Sequence, residues 1–212
     1  MLVGYRLLYE DPFYYLEKRS TKFGFIPYWE IISYSRELGD LEREITKLNK
    51  TMKVTNKAVF FWGGICSQWA KSEFTIEGVT YNCAEQYMMA KKALLFGDGE
   101  AHAKIMSKKN PRDQKALGRK VRGFNSDEWN EVCRDYVYEA NYAKFTQNPA
   151  MLSELESYGD KELVEASPYD KVWGIGMHWE DDGVEDKANW KGSNWLGEAL
   201  MQVRDTLKNA DV

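Results

Sequence analysis

The chain has 212 residues, 43% of them hydrophobic and 14% aromatic, with a formal net charge of −4 and a sequence pI of about 5.4. That is enough apolar material for one packed core plus an extension, and the acidic balance excludes a globally basic nucleic-acid binder while leaving room for a local basic patch. No apolar run is long enough to span a bilayer, and the opening "MLVGYRLLYEDPFYYLEKR" has too short and too charged an apolar stretch for a signal peptide.

Residues 1–34 mix aromatic and charged residues without a clean period, and "YWEIISY" reads as either a strand or a short buried helix. "SRELGDLEREITKLNK" follows, where Leu38, Leu41, Ile45 and Leu48 predict an amphipathic helix with Ser35 as N-cap. The stripe suits packing on its own domain better than a coiled-coil seam, for which it is short. A domain boundary is expected near residues 50–57, giving an N-terminal extension over 1–57 and a main domain over 58–212.

"KAVFFWGG" predicts a buried strand ending in a glycine turn, and "FTIEGVTYN" a hairpin turning at Glu77-Gly78. "NCAEQYMMAKKALLF" then predicts a helix with Tyr87, Met88, Lys91, Leu94 and Leu95 on its broad face, ended by Gly97. The spacing from Asn82 to Glu85 fits a capping-box variant. A helix over 100–109 stops before Pro111, and another is entered through Asn110 and Pro111. "NSDEWNEVCRDYVYEANYAKF" is a long helix capped by Asn125 or Ser126, with Trp129, Val132, Cys133, Tyr136 and Val137 inward. A helix closed by Gly159, a strand in "KELVEASPY", a second strand in "KVWGIG", a polar loop over 178–192 and a last helix from Ser193 complete the chain. That helix carries Leu196, Ala199, Leu200, Val203 and Leu207 at helical spacing. The expected fold is mainly α with a few short strands, an α+β domain.

Three widely spaced cysteines, Cys66, Cys83 and Cys133, argue against a disulfide framework and fit a reducing cytosol. With His102 and His178 as the two histidines, no zinc-binding spacing is present. "GGICSQ" is a glycine turn and lacks the P-loop pattern. Basic residues concentrate between Lys104 and Arg122, opposed only by Asp113, whereas residues 154–186 are strongly acidic. Most of this is expected to be solvated surface. Within it "GRKVRGF", whose glycines flank basic side chains, is the best candidate for gripping phosphate.

Five stretches, "FTIEGVTYNCAEQYMMAKKALLFGD", "KALGRKVRGF", "NYAKFTQNP", "LVEASPYDKVWGIG" and "GSNWLGEALMQVRDTL", occur in an order that resembles the YbiA/NADAR family over residues 59–207. The resemblance implies a compact, mainly helical YbiA-like domain that hydrolyses N-glycosidic bonds to ribose. Two substrate classes come with it. One is ADP-ribose on a base, notably guanine in nucleic acid; the other is phosphoribosylamino-pyrimidine intermediates of riboflavin synthesis. A non-catalytic module binding an ADP-ribose-like ligand is the third reading. The chain departs from the commoner family pattern in two places. Gln68 stands within Ser67-Gln68-Trp69 where many members have Ser-Asn-Phe or Ser-Asn-Trp, and Gln86 stands where many have histidine.

Cleaving an N-ribosidic bond passes through a cation-like sugar. The site therefore needs negative charge near C1′, a base for water and a route for the leaving nucleobase; it needs no metal or redox cofactor. The family match makes Glu85 the central acid, held in its charged form by the helix dipole while also closing the helix turn. Asp170 is the second acid, or else a turn aspartate. Glu165 is a weaker third, readable as an outward strand residue. Trp173 is expected to stack on a base where Gly174 lets a ligand approach. Trp69 is expected to line the entrance. Trp129 is a site aromatic by family position and a core residue by spacing. Lys92, seven residues after Glu85, is placed to pair with it or hold phosphate. Arg119 and Lys120 are the choices for phosphate. Asn194 and Gly197 sit at a helix start where free N–H groups can meet an anion, Asn194 being alternatively an N-cap.

Overall fold

The computed structural model describes residues 5–10, 13–22, 26–35 and 52–210. Strands β1 (Tyr5–Glu10), β2 (Phe13–Lys22) and β3 (Ile26–Ser35) form an antiparallel meander, so "YWEIISY" is strand. The helix expected after Ser35 lies outside the described residues, and Ser35 itself pairs with Tyr14 in the ladder.

The sheet that organises the rest has the order β4 (Met52–Val54), β5 (Ala58–Phe61), β8 (Glu162–Glu165). β4 is antiparallel to β5, and β5 is parallel to β8 with Phe61 opposite Glu165. The boundary drawn at residue 57 thus falls in the turn joining two strands of one sheet. Between β5 and β8 in sequence lie the hairpin β6 (Phe74–Ile76) and β7 (Val79–Tyr81) and five helices. These are α1 (Ala84–Leu95), α2 (Gly99–Ser107), α3 (Pro111–Gly118), α4 (Ser126–Gln147) and α5 (Pro149–Ser157). Helix α6 (Trp195–Ala210) closes the chain.

Local chemistry explains most of these boundaries. Glu77 and Gly78 both have positive φ, 51° and 79°, the requirement of a two-residue type I′ hairpin turn. Gly97, at φ 68°, follows α1, and the N–H of Asp98 returns to the carbonyl of Ala93 at 2.8 Å, a Schellman closure. Asp98 then caps α2 by accepting from Ala101 N, and Asn110 caps α3 ahead of Pro111. Asn125, not Ser126, caps α4 by accepting from the N–H groups of Asp127 and Glu128.

Every residue of β5 is buried, and its alternation splits the core. Val59 and Phe61, with Leu163 of β8, join the large cluster of α1, α4 and α6; Ala58 and Phe60, with Val164, join a smaller one formed with Ile175, Met177, Trp179 and Val184. The sheet is therefore covered on both faces, by helices on one and by the 175–184 segment on the other. Helix α1 is the pillar of the helical side, buried from Ala84 through Ala90. Leu94, expected on its inner face, is instead exposed: a helix surrounded along its first two turns has no single apolar stripe to read.

The "KVWGIG" stretch is not a strand. Asp170 Oδ1 accepts from the N–H groups of Val172 and Trp173 at 3.0 and 2.9 Å, winding the segment into an Asx turn. The N–H of Ile175 then reaches the carbonyl of Glu165, and that of Lys191 reaches Ile175. Only the single bond to Glu165 reaches β8 and the other goes to the loop at Lys191, so no ladder forms. Among the described residues no helix is long and apolar enough to cross a membrane, and all three cysteines are buried and outside any disulfide.

Candidate active site

The first turn of α1 does not use Glu85 as its cap. The backbone N–H of Asn82 is taken by Gln86 Oε1 at 2.8 Å, one residue beyond the position the spacing suggested. The Gln86 amide nitrogen donates to the carbonyls of Ile105, Met106 and Lys108. Gln86 thus ties the start of α1 to the end of α2, with both amide atoms used. This leaves the Glu85 carboxyl free to point elsewhere.

Glu85 is 2% exposed. Its Oε2 accepts the indole N–H of Trp69 at 3.2 Å, and its Oε1 has no hydrogen-bond partner. The helix-dipole argument for a charged carboxylate loses here to burial, which pushes the Glu85 pKa up to about 7. The positive charge of Lys115, the Trp69 hydrogen bond and the positive charge of Arg119 pull it back, while the negative charge of Asp170 adds to the rise.

The second carboxyl is that of Glu165, a half-buried residue at the end of β8 whose Oε2 is shielded from solvent. Strand alternation places it on the same side as Leu163, toward the helices, so it is an inward and not an outward residue. Burial pushes its pKa up to about 8, with Asp170 and Glu85 adding to the rise and Lys115 opposing it. Its Oε2 also lacks a hydrogen-bond partner.

Asp170 serves two purposes. Oδ1 holds the Asx turn, and Oδ2 lies 3.8 Å from Lys115 Nζ. Lys115 on α3 is accordingly the cation common to all three carboxylates. Sequence reasoning passed over it for Arg119 and Lys120, because within the basic stretch nothing local marks the one lysine that helix packing turns inward. A one-turn relation to Arg119, whose charge Glu85 also senses, was the available signal. Lys120 is exposed, and no interaction brings it to the cluster. Among the described residues no group of three or more His, Cys, Asp or Glu side chains is disposed to hold a metal ion.

The remaining candidates fall into two groups. Trp69 is 44% exposed and donates its indole N–H to Glu85. Lys92 and Trp129 come together away from the carboxylates: Lys92 Nζ lies 3.8 Å from the centroid of the Phe124 ring and 5.4 Å from that of Trp129, a cation–π arrangement, and burial lowers its pKa. Trp173 is half-buried, edge-on to Trp195 with centroids 5.8 Å apart, which makes it a packing residue rather than an open platform.

Gly174 and Gly197 are demanded by packing. A Cβ at Gly174 would stand 2.8 Å from the carbonyl oxygen of Glu165, and one at Gly197 would collide with the carbonyl oxygen of Leu163. The expected anion site at the start of α6 is filled by the protein itself. The N–H groups of Ser193, Asn194, Trp195 and Leu196 go to the carbonyls of Lys171, Gly174, Val172 and Trp173. Asn194, buried and at φ 56°, uses its amide on β8: Oδ1 accepts from Glu165 N at 2.9 Å, and Nδ2 donates to the carbonyl of Leu163 at 3.0 Å. It therefore positions the backbone that carries Glu165.

Gln68 is likewise built into the frame. Its Oε1 accepts from Asn141 Nδ2 at 2.8 Å, and its carbonyl accepts from Glu85 N at 3.0 Å. The fully buried Lys144 of α4 donates to the carbonyl of Ser67 at 3.0 Å, so α4 fastens the loop that carries Trp69 over Glu85.

A small α+β domain with a buried, cation-flanked carboxylate cluster beneath a tryptophan defines the class. The chain belongs to the NADAR domain family, whose model matches residues 60–208. It is 43% identical over 164 residues to N-glycosidase R617 of Acanthamoeba polyphaga mimivirus, covering 71% of this chain and 96% of that protein. It is 44% identical over 130 residues to protein irg-1 of Caenorhabditis elegans, covering 60% of this chain and 61% of that protein. The fold resembles the NMR structure of the E. coli protein YbiA, with a TM-score of 0.61 at 24% identity over 74% of this chain and 89% of that one.

Proposed function

We propose that the protein hydrolyses the bond between C1′ of a ribose and a nucleobase nitrogen, removing ADP-ribose from guanine in nucleic acid. Membership of the NADAR family and the likeness to a protein named N-glycosidase support the hydrolase class. The observation that carries the chemistry is the pairing of two carboxyls, Glu85 and Glu165, each with a buried oxygen free of hydrogen bonds, around Lys115, the cation they share.

Burial first, and then the negative charge of Asp170 beside both groups and of Glu85 beside Glu165, disfavours ionising the two together. With one proton between them the pair holds an acid and a base at neutral pH. In the proposed cycle Glu165, the group with the higher pKa, protonates the leaving nitrogen as the C1′–N bond breaks. The Glu85 carboxylate faces the developing sugar cation and takes a proton from the attacking water, whose oxygen bonds to C1′. The products are free base and free ribose hydroxyl, and the net reactant is one water. Lys115 on α3 and Arg119 at its C-terminal cap are the cations whose charge reaches this cluster, and they suit a phosphate-bearing sugar. A phosphoribosylamino-pyrimidine would meet the same groups.

The test is incubation with ADP-ribosylated DNA, following release of ADP-ribose and restored guanine by mass spectrometry, beside a phosphoribosylamino-pyrimidine. Glu85→Gln is expected to fold and to lose at least a hundredfold in rate. Full activity in that variant would remove Glu85 from the reaction. Saturable binding of ADP-ribose without turnover would mean a binding module.

A further inference from the structure

Among the described residues the exposed large apolar side chains are unevenly spread. Trp62, Trp69, Tyr169 and Val172 all lie on the segments that carry or abut the carboxylates. Scattered exposed apolar residues are ordinary; a cluster beside a reactive centre marks a binding surface. Trp69 is already engaged with Glu85. Trp62 and Tyr169 are not used by the chemistry above.

Their placement is constrained. Trp62 directly follows Phe61, the register partner of Glu165, and emerges at the end of β5 on the face of the smaller core, opposite the helix-facing side chains of Phe61 and Glu165. Tyr169 directly precedes Asp170, whose Oδ2 faces Lys115. The two rings approach to 5.6 Å between centroids, tilted by 50°. Behind them, His178 packs edge-on to Trp62 at 6.0 Å, and Trp179, buried in the smaller core, packs at 6.5 Å. Trp62 is thereby braced from below yet remains 44% exposed, and Tyr169 is 85% exposed. A tyrosine so open gains little from the fold itself; it is available to whatever rests on Trp62.

We propose that Trp62 and Tyr169 form a stacking subsite for a nucleobase of the substrate, reached from the carboxylate cluster through Asp170 and its ion pair with Lys115. Only the identity of that substrate rests on the hydrolase reading. Flat, electron-rich faces bind any base by stacking, independently of its hydrogen-bonding edge. Phosphate and base are then handled by different elements, the cations of α3 and the rings at Trp62 and Tyr169. Two bases present this chemistry: the one leaving C1′, and the adenine at the far end of an ADP-ribosyl group.

Direct binding separates the subsite from catalysis. Wild type, Trp62→Ala, Trp62→Phe and Tyr169→Ala are titrated by calorimetry with ribose 5-phosphate, ADP-ribose and guanosine, and their folds compared by circular dichroism. Ribose 5-phosphate affinity is expected to stay within twofold of wild type in all variants. At least one base-bearing ligand is expected to lose tenfold or more in Trp62→Ala and Tyr169→Ala, with Trp62→Phe recovering most of it. A loss confined to guanosine assigns the leaving base, and one confined to ADP-ribose assigns adenine. The proposal is overturned if neither base-bearing ligand weakens, if ribose 5-phosphate weakens equally, or if wild type binds neither base-bearing ligand. Failure of the hydrolase reading would show separately, as absence of turnover with binding intact.

Discussion

The indole N–H of Trp69 meets Oε2 of Glu85 at 3.2 Å while Oε1 of the same carboxyl is left bare. One oxygen is thus anchored and the other is free to act. The anchor is itself held: Trp69 N donates to Ser67 Oγ, and Lys144 Nζ donates to the Ser67 carbonyl. A hydrogen bond to the charged form favours it, so this contact resists the rise that burial imposes on Glu85.

Trp69→Phe keeps the ring and removes the donor. The Glu85 pKa should rise further, and the acid limb of kcat/KM against pH should move upward by several tenths of a unit, about the worth of one such hydrogen bond. An unmoved limb would show that Glu85 does not set it.

Lys115→Met should move more. Lys115 lowers the pKa of both Glu85 and Glu165, so its loss raises both. Two coupled carboxyls titrate as a unit, and activity that needs the singly protonated pair is bell-shaped, rising near pH 7 and falling near pH 8. In the variant both limbs should shift to higher pH together. A shift of one limb alone would mean that Lys115 serves only one of the two acids.

Asn194→Ala tests the frame rather than the chemistry. It strips partners from Glu165 N and the Leu163 carbonyl, both on β8, and puts alanine at φ 56°. Two orphaned backbone groups plus strained backbone cost about 3 kcal/mol, or a fall of roughly 6–12 °C in Tm for a domain of this size. Asn194→Asp retains the acceptor for Glu165 N and should recover part of the loss in thermal melts. A variant as stable as wild type would deny Asn194 its bridging role.

The legible parts of this molecule were those written locally. Glu77-Gly78, Gly97, Asn110-Pro111 and Asn125 each declare a turn or cap through their own backbone chemistry, and each stands where the spacing put it. Only its motif singles out Glu85 as a candidate acid; the capping role expected of it falls one residue on, since capping-box spacing cannot tell Glu85 from Gln86 when both follow Asn82 closely. Lys115 and Glu165 were passed over or weighed low because their importance is tertiary. One needs α3 to turn it toward the cluster, and the other needs to be known as the helix-facing residue of a doubly covered strand. Trp173, Gly174 and Gly197 carry family motifs but satisfy the fold's own packing.

The Glu85–Glu165 pair should also be visible in stability. A carboxyl whose pKa is raised on folding binds protons more readily in the native state, so its stabilising contribution is complete below the unfolded value and lost as pH rises through the native one. For Glu165 that window runs from about 4.5 to about 8, and for Glu85 from about 4.5 to about 7. Wild type should therefore lose stability across this range by an amount that Glu165→Gln, uncharged at every pH, does not. At pH 8.5 the variant should melt at least about 4 °C above wild type, the equivalent of 1–2 kcal/mol in a domain of this size; at pH 4.5 the difference should shrink to near zero or reverse. The same variant should lose most of its turnover, because the amide holds no proton to give the leaving base. Equal melting temperatures at both pH values would place the Glu165 carboxyl in water, and the acid–base pairing would fall with it.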